Sequence, residues 1–65
     1  MIMLTKLDNS PVLVNIEGIK YIESTPDTLI RYLNGDTMIV RESLEDIERR
    51  VLELKQRIFN EQASQ

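Results

Sequence analysis

Sixty-five residues without a cysteine or a histidine make one domain, whose core alone contributes only about 3–5 kcal/mol after the entropy of ordering. Disulfides are excluded as reinforcement and a structural metal nearly so, which leaves association with another chain. A mix of 42% hydrophobic and 29% charged residues is that of a soluble domain, and the net charge of −3 opposes the counterion exchange through which phosphate backbones are bound.

The opening MIMLTK meets its first charge at Lys6, and the longest uncharged stretch, Asn9 to Ile16, contains Asn9, Ser10, Pro11 and Asn15. Neither a signal peptide nor direct membrane insertion is expected, and the lack of cysteine fits a reducing cytosol. Ile2, Leu4 and Lys6 alternate with Met3 and Thr5, predicting a first strand. Asp8 to Pro11 gathers four turn formers, and Val12 to Ile16 is β-branched enough for a second strand, broken by Glu17 and Gly18. In a third strand, Ile19 to Ser24, an imperfect period of two sets Ile19, Tyr21 and Glu23 on one face and Lys20, Ile22 and Ser24 on the other. Pro26 and Asp27 then reverse the chain, with Pro26 pre-setting φ at the second turn position.

Thr28 to Leu33 predicts a fourth strand. Asn34-Gly35 supplies the two positive-φ residues of a type I′ hairpin, and Asp36 to Glu42 returns antiparallel. Pairing outward from a two-residue turn sets Tyr32 against Thr37 and Ile30 against Ile39. One face then carries Ile30, Tyr32, Thr37 and Ile39, and the other Leu29, Leu33, Met38 and Val40. Both are apolar.

At Ser43 the period changes to about 3.6. Ser43 is an N-cap, with Asp46 in a capping-box-like place and Glu45, Asp46 and Glu48 favouring the positive helix end. The helix expected from Leu44 to about Asn60 has an apolar stripe of Leu44, Ile47, Val51, Leu54 and Ile58, and acid-before-base pairs Glu45–Arg49, Asp46–Arg50 and Glu53–Arg57. The predicted fold is α+β: an antiparallel β-meander of five strands and one long C-terminal amphipathic helix. A single domain spans residues 1–60, and residues 61–65 form a frayed polar tail.

A helix of that length, about 25 Å, covers one face of a small sheet and not two. A second copy of the chain is the expected cover, making a homo-oligomer with its interface at Ile30, Tyr32 and Ile39 on the sheet and at Leu52 and Phe59 beside the helix stripe.

Little in the sequence is equipped for chemistry. Without His or Cys, nucleophilic catalysis falls to Ser/Lys or Thr/Lys pairs or a carboxylate dyad, and the hydroxyls sit mostly in or beside turns, where capping is their ordinary task. Two glycines make no phosphate-cradling loop. No enzyme activity, cofactor or metal is expected. Arg49, Arg50, Lys55 and Arg57 could track phosphates, but each has an acidic neighbour, so they read as a solvated face and no nucleic acid is expected.

The string YIESTPDTLIRYLNGDTMIVRES, with MIMLTKL before it and Leu13 to Asn15 between, resembles the small flagellar FlbD family over Met1 to about Ile58. The shared motif is Glu23, Thr25, Pro26, Asp27, Thr28, Asn34, Gly35, Val40 and Glu42. Where that family commonly has Asn-Gly after the first strand, this chain has Asp8-Asn9, and the IRY segment departs from a more usual threonine-rich strand. The resemblance implies a non-enzymatic cytoplasmic accessory protein that supports swarming or motor power, with flagellar motor or stator proteins as partners, and it implies no catalytic residue. IKYIES and IVRESLEDIERRV are also similar to the strand-strand-helix portion of LytTR-type DNA-binding domains. That portion is half such a domain, and the arginine- and histidine-rich segment that should follow is missing, so transcription regulation ranks as the alternative.

Overall fold

A computed structural model describes residues 1–63, with side chains described as far as Phe59. Five antiparallel strands precede one C-terminal helix, the α+β class expected. The strands divide between two sheets. β1 (Ile2–Thr5) pairs with β2 (Pro11–Val14), setting Ile2 against Val14 and Leu4 against Val12. β3 (Ile19–Ser24), β4 (Thr28–Tyr32) and β5 (Thr37–Val40) form the second sheet in that order. A bridge between Lys6 and Val40, and an Arg41 N–H donating to the Thr5 carbonyl at 2.9 Å, join β1 to β5. The break between sheets follows from Asn15. Its Oδ1 accepts from the Glu17 N–H at 3.1 Å, capping a 3₁₀ turn at Ile16–Gly18. The chain thus leaves β2 at Val14, two residues before the expected end at Ile16.

The β4–β5 turn differs from the type I′ expectation. Gly35 N–H donates to the Tyr32 carbonyl at 3.0 Å and Tyr32 N–H to the Asp36 carbonyl at 2.8 Å, enclosing the three residues Leu33, Asn34 and Gly35. Gly35 has positive φ (93°) and Asn34 does not. Instead the Asn34 side chain accepts from the Asp36 N–H at 2.9 Å, an Asx turn that holds it on the ordinary side of φ. A three-residue loop with one left-handed residue is the next hairpin solution after the two-residue ones. It moves the register by one residue and so exchanges faces: Ile30 opposes Met38, and Leu29 opposes Ile39.

β3 carries a second correction. Its register shifts between Ile19, opposite Tyr32, and Tyr21, opposite Arg31, leaving Lys20 as a bulge. The extra residue brings Ile19 and Ile22 both onto the core, where strict alternation separates them, and leaves Tyr21 exposed on the far side. The turn between β3 and β4 occupies Thr25 to Asp27, as the Pro-Asp signal predicts, and its Thr25–Pro26 peptide bond is cis.

The core joins all three layers: Ile2, Leu4 and Val14 from the hairpin, Ile30 and Val40 from the larger sheet, and Ile47 from α1 (Leu44–Ala63). Ser43 caps α1 as expected, its Oγ accepting from the Asp46 N–H at 3.1 Å. The helix packs on β1 and β3 and runs three residues past the expected Asn60. Of the tail expected beyond residue 60, Ser64 and Gln65 lie outside the described residues. Among the described residues no helix is long and apolar enough to cross a membrane.

Candidate docking surface

The motif residues have distinct positions. Thr25, Pro26 and Asp27 form the β3–β4 turn, and Asn34 and Gly35 the β4–β5 turn. Thr28 and Val40 are cross-strand partners and both buried. Glu23 stands exposed opposite Leu29 and, among the described residues, has no hydrogen bond or ion pair from its side chain.

Glu42 is a clamp. Its carboxylate accepts from the Thr5 N–H at 2.9 Å and from the Thr5 hydroxyl at 2.8 Å, tying the end of β1 to the corner between β5 and α1. Arg50 stands 4.0 Å from Glu42 Oε2, pairs with Asp46 at 3.0 Å and donates to the Met3 carbonyl at 2.6 Å. Burial alone would raise the Glu42 pKa. The Thr5 backbone and hydroxyl bonds, its own N–H and Arg50 together outweigh burial and hold it below the ordinary glutamate value. Glu42 is legible in the sequence as part of a motif, but Thr5 carries no signal, since an alternating strand shows nothing of a partner 37 residues away.

The surface of α1 has three sectors. The core sector loses cover along its length: Ile47 is 2% exposed, Val51 and Leu54 are half-buried, and Ile58 is 45% exposed. On the back, Asp46, Arg49, Arg50 and Glu53 form a chain of ion pairs. Arg49 bonds both Asp46 and Glu53, so it uses Asp46 where Glu45 was the expected acid, while the expected Asp46–Arg50 pair forms. Among the described residues Glu53 pairs with Arg49 and not with Arg57. The third sector lies between these two, at the spacing of one helical stripe: Glu45, Glu48, Leu52, Lys55 and Phe59. Leu52 is 51% and Phe59 68% exposed. Among the described residues Glu45, Glu48 and Lys55 form no ion pair.

The five expected interface residues therefore separate. Leu52 and Phe59 are exposed, as an interface needs. Ile30 is wholly buried, on one face with Met38 and Val40 and not with Ile39, and this corrects its place in the interface. Tyr32 sits half-buried on the same inner face, where burial raises its phenol pKa. Ile39 is half-buried on the opposite face, beside Leu29. There the Arg31 Nε donates to the Tyr21 hydroxyl at 2.7 Å.

Two shallow clefts flank these surfaces. One, of about 280 Å³, lies where Met1, Ile2 and Met3 meet Leu54, beside Arg50. The other, of about 200 Å³, gathers the motif residues Pro26, Asp27, Thr28 and Val40 against Leu7 and Arg41. Among the described residues no three carboxylates are grouped to hold a metal ion. Arg49 and Arg50 are both engaged by carboxylates.

A family model described as FlbD, flagellar and swarming motility proteins, matches residues 1–59. No curated protein and no solved structure matches the chain.

Proposed function

The chain belongs to the FlbD family of flagellar and swarming motility proteins, and from that premise we propose that it is a non-enzymatic accessory of the flagellar motor that works by protein–protein contact. It acts on the cytoplasmic side, associates with itself, and meets motor or stator proteins through surfaces that its own fold leaves open. The observation that carries this reading is the outer half of α1, where Leu52, Ile58 and Phe59 are each 45–68% exposed although the same helix buries Ile47 fully. Large exposed apolar side chains grouped on one element mark interaction surfaces. The exposed Glu23, a motif residue whose side chain forms no hydrogen bond or ion pair among the described residues, is a second contact candidate.

Deletion of the gene tests the reading. Swarming and motor torque fall while filaments still assemble, and complementation with a Phe59→Ser chain fails although the protein is present at native level. Undiminished torque in the deletion strain contradicts it.

A further inference from the structure

We propose that two copies of this chain pair through antiparallel α1 helices, along the stripe of Glu45, Glu48, Leu52, Lys55 and Phe59, with Glu48 of each copy beside Lys55 of the other. The pairing deepens the contact reading above and rests on it. Three observations carry it. The stripe has apolar anchors, with Leu52 half exposed and Phe59 68% exposed. Its charges are segregated, acids in the N-terminal half and a base in the C-terminal half. Those charges form no ion pair among the described residues, whereas the adjoining back sector pairs Asp46, Arg49, Arg50 and Glu53 with one another.

Order along the stripe decides the direction. Reversing one helix about Leu52 sets Leu52 near its own counterpart, Glu48 near Lys55 and the aliphatic stem of Glu45 over Phe59. Two-fold symmetry forms each contact twice, as an isologous interface requires. A parallel pair instead faces Glu48 with Glu48 and Lys55 with Lys55, and like charges across a helix seam oppose association. From Glu45 to Phe59 the stripe is about 21 Å long, so the contact is smaller than the ~800 Å² per partner of standard interfaces. The dimer therefore depends on concentration.

The test uses charge reversal at two exposed positions. Glu48→Lys and Lys55→Glu each convert both intermolecular pairs into repulsions, and each alone weakens self-association about tenfold in dissociation constant. Mixed one to one, the two variants regain pairing as a heterodimer, because both charged contacts of the seam then set a lysine of one chain against a glutamate of the other. Circular dichroism verifies that each variant folds. Independently, Leu52→Cys in this cysteine-free chain oxidises to a covalent dimer, while Glu53→Cys on the back sector does not. A native chain that stays monomeric at high concentration overturns the pairing, as does a mixture no more associated than its components, or equal crosslinking at both positions. These assays read association and not motility. Their failure leaves the motor reading to the deletion phenotype, and an unaltered deletion phenotype leaves a measured dimer in place.

Discussion

The two ends of α1 carry the same kind of residue and meet opposite fates. At the N-terminal end Ile47 is 2% exposed under β1 and β3, and the corner beside it is closed by Glu42 on Thr5. At the far end Ile58 continues the same stripe but is 45% exposed, with Phe59 beside it at 68%. Five short strands suffice to cover the first turns of the helix and no more. Apolar sequence towards that end is covered less by the monomer's own strands, and it is this uncovered area that the proposed association would bury.

Substitutions at the two ends separate those roles. Ile47→Ala has the largest effect: emptying a site at the junction of both sheets and the helix costs about 3 kcal/mol, most of the stability of a domain this small. Chemical denaturation followed by circular dichroism shows the loss as a collapsed or absent transition. Glu42→Ala strands the Thr5 N–H and hydroxyl and costs about 2 kcal/mol, read in the same way.

The clamp also fixes a pH dependence. The folded pKa values of Glu42, Asp46 and Asp8 all lie below their ordinary values. For Asp8 the Ser10 hydroxyl bond is the main cause; for Asp46, burial opposes the shift and the Arg50 and Arg49 bonds prevail. A depressed carboxylate contributes stability that is complete above its unfolded pKa and is lost as pH falls through the folded value. Stability thus declines on the acid side, and Glu42→Gln, already lacking the charge, shows a shallower decline in urea midpoints measured across that range.

The β1–β2 and β4–β5 turns give smaller effects. Both enclose three residues with the same bonds, since Asn9 N–H donates to the Lys6 carbonyl at 2.9 Å and Lys6 N–H to the Ser10 carbonyl at 2.9 Å. The left-handed place is held by Gly35 (φ 93°) in one and by Asn9 (φ 71°) in the other. A Cβ at Gly35 meets nothing within 4 Å, so Gly35→Ala costs only its backbone conformation, about 1 kcal/mol. Asn9→Gly relieves the same strain and raises stability by about 0.5 kcal/mol. Phe59→Ser, at the open end, changes folding stability by less than about 0.5 kcal/mol and yet removes self-association, which sedimentation detects.

Local signals in the sequence were strong where structure is local. The change of period at Ser43, the Pro-Asp reversal and the Asn-Gly turn place α1, the β3–β4 turn and the β4–β5 hairpin. Register was not legible, because Asn34 spends its side chain on the Asp36 N–H instead of adopting positive φ, and the three-residue turn sets Ile30 on one face with Met38 and Val40 instead of with Ile39. The Lys20 bulge is invisible for the same reason: only packing against the rest of the core decides whether Ile19 and Ile22 share a face. Of the surface, Leu52 and Phe59 were readable as residues off the main stripe, whereas their companions Glu45, Glu48 and Lys55, without ion pairs among the described residues, emerge only once Asp46 is seen to take both arginines.

Molar mass by light scattering over a concentration series bears most directly on the claim that the open end of α1 is an interface. The native chain should move from 7.6 kDa towards twice that mass as concentration rises, and Phe59→Ser should remain at the single-chain mass throughout. A native chain that holds the single-chain mass at the highest concentration reached contradicts the account.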